Sequence, residues 1–102
     1  MGKGKNKKSE MILDTKDSTV SKVYDFFVKE AFPNYTDFDE EVISPETRLD
    51  ELGLDSLDLL ELCMDAELEF TLDIRDEDYE DITSVGGLVL MVSNKIKDKD
   101  GK

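Results

Sequence analysis

The chain has no histidine and no tryptophan, one cysteine and two prolines in 102 residues. Without histidine, the commonest general base and the commonest metal ligand are both missing. A Ser-His-Asp or Cys-His nucleophilic site cannot be assembled. A zinc centre from Cys63 and carboxylates alone would be unusual, so no metal ligand set is expected. Cys63 has no partner for an internal disulfide, which makes a reducing, cytoplasmic setting natural. Its bland role is that of a small core residue. Long apolar runs are lacking too. The longest, Val85 to Val92, includes two glycines and falls short of the roughly 20 residues a membrane helix needs. No apolar stretch follows the basic start, so it does not read as a secretory signal. Met1-Gly2 opens like a myristoylation site, but the sixth residue is Asn6 in place of Ser or Thr. No membrane insertion is expected.

Positive charge is scarce and unevenly placed. Against 26 acids stand 13 bases, for a net charge of −13. Residues 1–8 hold four lysines and no acid. Between Asp37 and Asp81, 19 acids face only Arg48 and Arg75. Such a field repels nucleic acid and anionic lipid and draws in basic protein surfaces. The plainer reading is that acids keep a small protein soluble.

Residues 1–16 are lysine-rich and polar, with only Met11, Ile12 and Leu13 apolar after Met1, and read as a disordered basic leader. Residues 17–97 form one domain, and 98–102 a frayed tail. A first helix is predicted over about Ser18–Ala31. Val20, Val23, Tyr24, Phe27, Val28 and Ala31 line one face at a period of 3.6. Asp17 or Ser18 can cap it, and Pro33 stops it. A long connection over residues 33–55 follows, with Phe38, Val42, Ile43, Leu49, Leu52 and Leu54 as expected anchors. A second helix is predicted over about Ser56–Glu69, with Asp55 as N-cap and Asp58 completing the cap from N3. It carries two apolar stripes. One is Leu59, Leu62, Cys63 and Ala66; the other is Leu57, Leu60 and Met64. A helix apolar on two sides either sits deep or keeps one side for a partner. Met64 is open to both roles. A short helical segment is expected over Asp76–Asp81, and a last helix over about Ser84–Ile96, capped by Thr83 or Ser84. Gly86 and Gly87 in its first turn each cost about 1 kcal/mol relative to alanine. No segment alternates at period two, so no sheet is expected. Three main helices, one short helix and a long first loop describe a small all-α bundle.

The stretch from Thr47 to Leu62 carries the chemistry. It puts the Ser56 hydroxyl at the first position of an acidic helix, flanked by Leu52, Leu54 and Leu57, with no base in reach. A serine without a base is a poor nucleophile. It is well placed to be modified by another enzyme, and a helix N-terminus favours an attached phosphate. Alone, Asp55-Ser56 is an ordinary cap pair. The longer pattern, Leu52-Gly53-Leu54-Asp55-Ser56-Leu57-Asp58 with Glu61-Leu62, resembles the phosphopantetheine attachment site of acyl carrier proteins. Glu67-Leu68-Glu69-Phe70, Ile74 and Asp81-Ile82-Thr83-Ser84-Val85 extend the resemblance over about residues 18–97. Ala66 and Leu68 depart from the family, which usually has a larger aliphatic and an acid there.

The resemblance implies an acyl-carrier-like four-helix bundle with no catalysis of its own, working as a monomer. It implies a covalent 4'-phosphopantetheine arm on Ser56, added by a Mg²⁺-dependent phosphopantetheinyl transferase that reads Asp55. It also implies acyl groups carried as thioesters for fatty-acid or related synthesis. Enzymes with basic patches would meet Asp58, Glu61 and Asp65, with Leu57, Leu60 and Met64 as apolar contacts. A carrier for polyketide, aminoacyl or other specialised acyl groups is the nearest alternative. An acidic interaction module without cofactor is another. A calcium loop from Asp76 would need Gly at its sixth place and Glu at its twelfth. The chain has Asp81 and Gly87 there.

Overall fold

The structure is a computed structural model that describes residues 17–100. The expected basic leader and residues 101–102 of the expected tail lie outside them. Four α-helices follow in order: α1 Ser18–Asp25, α2 Ser56–Phe70, α3 Asp76–Tyr79 and α4 Val85–Asp100. The described residues contain no strand, only an isolated antiparallel bridge between Arg48 and Ser84. The small all-α bundle expected from the periodicities is present.

Asp17 caps α1, its side chain accepting from the Thr19 and Val20 amides at 2.9 and 3.4 Å. Capping satisfies amides that have no partner within the helix. The first helical segment does not stay regular to Ala31. From Phe26 to Ala31 it widens to π-helical winding, then tightens to a 3-10 turn over Phe32–Asn34, which contains Pro33. Wider winding brings successive side chains closer in direction. Phe27 is fully buried, while its neighbour Phe26 is half-buried and still meets Phe27 edge to face at 5.3 Å.

Val20, Val23, Phe27, Val28 and Ala31 pack with Leu59, Leu62, Cys63 and Ala66 of α2 and Val85, Leu88, Val89 and Val92 of α4 in one core. Ser93 is buried in it, and its hydroxyl has no hydrogen-bond partner among the described residues. The last helix runs to Asp100, beyond the expected end at Ile96. Lys99 secures that extra turn by donating to the Thr71 and Phe70 carbonyls at 2.7 and 3.3 Å.

The first loop has more structure than its composition predicts. Residues 40–42 and 50–52 form 3-10 turns. Ile43, Leu49, Leu52 and Leu54 anchor it as expected, whereas Phe38 and Val42 are 50% and 61% exposed and do not. The Tyr24 hydroxyl donates to the Ile43 carbonyl at 3.0 Å. Ile43 is buried beside that contact, while Val42, in the preceding 3-10 turn, stays outside.

Candidate functional site

Three backbone hydrogen bonds tie the end of the first loop to the start of α4. Leu49 N–H donates to the Thr83 carbonyl, Val85 N–H to Thr47 and Gly86 N–H to Pro45, at 2.8 to 2.9 Å. The first amides of α4 thus find acceptors in the loop, and the loop finds a fixed seat. Ser84 completes the cap, its Oγ accepting from the Gly87 amide at 3.1 Å. Gly87 leaves room for this, since a Cβ there would stand 3.3 Å from that oxygen. Of the two expected caps, Ser84 is the one used.

From this seat the chain turns at Gly53, whose φ is +78°. That left-handed conformation favours glycine; the space around it is open. Asp55 then starts α2 in a reciprocal capping box, as expected. The Asp58 amide donates to the Asp55 carboxylate at 2.9 Å, and the Asp55 amide to the Asp58 carboxylate at 3.2 Å.

Ser56 is the first residue of α2 and is exposed. Its hydroxyl has no hydrogen-bond partner among the described residues, because the cap is made by its neighbours. The Ser56 and Leu57 amides also lack an acceptor there. Beside Ser56 lies a cleft of about 220 Å³ whose lining includes Leu49, Leu54, Leu59, Ile82 and Thr83. Its floor is apolar and its Ser56 edge is acidic.

The six expected partner-facing residues lie on α2, but not all are equally free. Leu57, Leu60 and Met64 are 59%, 37% and 51% exposed. Leu68 continues this stripe at 84% exposed. Glu61 is exposed. Asp58 is half-buried and committed to the cap. Asp65 is also half-buried, and accepts a hydrogen bond from the Tyr35 hydroxyl at 2.9 Å. Burial first, then the Asp65 carboxylate, pushes the Tyr35 hydroxyl up to about 12. Tyr35 therefore remains a proton donor at neutral pH and holds Asp65 in place. Sequence reasoning missed this pair, whose members are far apart in the chain and share no local motif.

Cys63 is buried against the core, and burial above all pushes its thiol up to about 12. At neutral pH it is a thiol with the packing role expected of it. Residues 76–79 form a helical turn rather than a cation loop. The Arg75 amide donates to the Asp78 carboxylate at 2.9 Å, and Lys95 of α4 pairs with the same carboxylate at 2.6 Å. Among the described residues no three Cys, Asp or Glu side chains converge as a metal site. No helix among them is long and apolar enough to cross a membrane.

Comparison with known proteins places these features in a family. The family described as a phosphopantetheine attachment site, PP-binding, matches residues 27–92. An acyl carrier protein of Thermotoga maritima is 44% identical over 59 residues, covering 57% of this chain and 73% of that relative. The crystal structure of an acyl carrier protein from Thermotoga maritima superposes with a TM-score of 0.71 at 33% identity. That match covers 82% of this chain and 98% of the other.

Proposed function

The chain belongs to the acyl carrier protein family, whose cofactor is covalent 4'-phosphopantetheine, and from that premise we propose that it carries acyl groups as thioesters on an arm attached at Ser56. The observation that carries this reading is the uncommitted Ser56 hydroxyl at the exposed start of α2.

The residues present fit the group. The free Ser56 and Leu57 amides and the positive end of the α2 dipole favour a phosphodiester on the Ser56 oxygen. Asp55 and Asp58 beside it disfavour a free anion, so a covalent bond suits this site better than reversible binding. When bound, the arm supplies a terminal thiol that holds acyl groups. The protein's own part is to present and to shelter. Gly53 and the loop bonds to α4 fix where Ser56 stands. Asp55 offers the transferase a carboxylate beside that oxygen. The apolar cleft between Leu54, Leu59 and Ile82 gives an acyl chain a way toward the core, out of water.

Among the described residues no side chain hydrogen-bonds the Ser56 hydroxyl to act as its base, which supports a carrier rather than an enzyme, with transfer to and from it left to partners. Leu57, Leu60 and Met64 supply the apolar contact for those partners. Glu61, with Asp58 and Asp65, supplies the charge that attracts basic patches. We read the chain as a monomeric, cytoplasmic carrier for fatty-acid or related synthesis. Polyketide, aminoacyl or other specialised cargo is the alternative within the same mechanism.

The test is intact mass after incubation with coenzyme A, Mg²⁺ and a broad-range phosphopantetheinyl transferase. A gain of one phosphopantetheine unit is expected. Unchanged mass would overturn the carrier reading in favour of a plain acidic interaction module.

A further inference from the structure

The groove between α1 and α2, at the end of α2 away from Ser56, has a chemistry of its own. Two adjoining hollows run along it and share Phe26, Glu30 and Glu69. Phe26 and Phe70 meet edge to face at 5.3 Å to form part of the floor. Leu68 borders it and, among the described residues, is the large apolar side chain that stands furthest into solvent. The rim is acidic: Asp25, Glu30 and Glu69 are exposed and make no ion pair among the described residues. Among the described residues, Lys22 is the one base lining either hollow.

Unpaired surface acids alone would be an ordinary solvated face. Here they border the half-buried rings of Phe26 and Phe70 and the exposed Leu68, and that combination matches a ligand that is apolar at its centre and cationic at its edges. A groove between two helices also accepts a third helix by fitting ridges into grooves. The two ends of α2, Ser56 and Phe70, lie about 20 Å apart at 1.5 Å per residue. An occupant at this end leaves the Ser56 end open.

We propose that this groove is a tethering site for a basic amphipathic helix of a partner protein, one with leucine-like anchors flanked by lysine or arginine. The use assigned to it rests on the carrier reading: a carrier held at one end offers the other to successive enzymes.

The probe is a synthetic amphipathic helix of roughly 18 residues, with leucines at i, i+3, i+4 and i+7 and lysines on its flanks. It is titrated into the isotopically labelled full chain and followed by amide chemical shifts. Shifts should centre on Phe26, Glu30, Leu68 and Phe70. Leu68→Ser, and separately Glu30→Lys with Glu69→Lys, should each weaken binding about tenfold. With the groove saturated, the transferase-dependent mass gain should proceed at an unchanged rate. Shifts centred on Leu57, Leu60 and Glu61, or affinity indifferent to those variants, would overturn the proposal. So would a marked gain in affinity on deleting residues 1–16, since the chain's own lysines would then be the occupant. Failure of the mass gain without probe counts against the carrier reading alone, because the shifts report on the groove independently.

Discussion

Along one side of α2, Leu59, Leu62, Cys63 and Ala66 are buried, three of them at 2% exposure or less. Along the other, Leu57, Leu60, Met64 and Leu68 stand in water, at 37% to 84%. Both sides have helical spacing and apolar side chains. What separates them is the company they keep. The exposed stripe is interleaved with Asp58, Glu61 and Asp65, and those carboxylates cannot follow it into a core. Only one side of a single helix can face the centre of so small a bundle. The second stripe therefore contributes little to folding, and the carrier reading gives it a different use.

The sharpest way to break that contrast is truncation. Leu62→Ala, at a fully buried site, should cost about 2–5 kcal/mol in urea unfolding. Met64→Ala, on the outer stripe, should stay within about 0.5 kcal/mol. Equal losses would mean that the outer stripe is structural.

The buried side can be probed through pH. Cys63 has its thiol raised to about 12, with burial the leading cause, from an ordinary value of 9.0. The folded state therefore holds that proton longer than the unfolded state does. Its stabilising contribution is intact below pH 9 and drains away as pH rises toward 12. Between those limits the loss approaches about 1.4 kcal/mol per pH unit. Cys63→Ala should lack this part of the alkaline decline, and parallel curves would place the thiol in water.

The outer side answers to salt. Glu61→Lys should weaken docking to a basic acyl-chain enzyme about tenfold at low ionic strength, with the difference shrinking as salt is added. Surface plasmon resonance at two salt concentrations measures it, and a salt-independent loss would argue against electrostatic docking. The smallest effect concerns how α2 is set at its start. Gly53→Ala places a Cβ at φ +78° and should cost about 1 kcal/mol through backbone strain alone, since the space around it is open. A neutral result by thermal unfolding would show that the turn can relax.

Much of this was legible in the sequence because it is local. The inward residues of α1 and α2, the Asp55–Asp58 capping box and the Asp17 cap all follow from spacing within a turn or two. What escaped depends on contacts between distant segments. Tyr35 meets Asp65, and Lys99 meets Thr71, through tertiary folding alone. The same holds for the bonds from Pro45, Thr47 and Leu49 to the start of α4, which give order to a loop that reads as irregular. Phe38 and Val42 misled for the opposite reason: apolar residues in a loop look like anchors until the turn geometry points them outward.

The central claim concerns a single oxygen, and fragment-ion mass spectrometry of the transferase-treated protein locates the modification directly. The phosphopantetheine mass should fall on Ser56, and Ser56→Ala should fold normally yet gain nothing. Label on any other hydroxyl, or persisting in the alanine variant, would contradict the assignment.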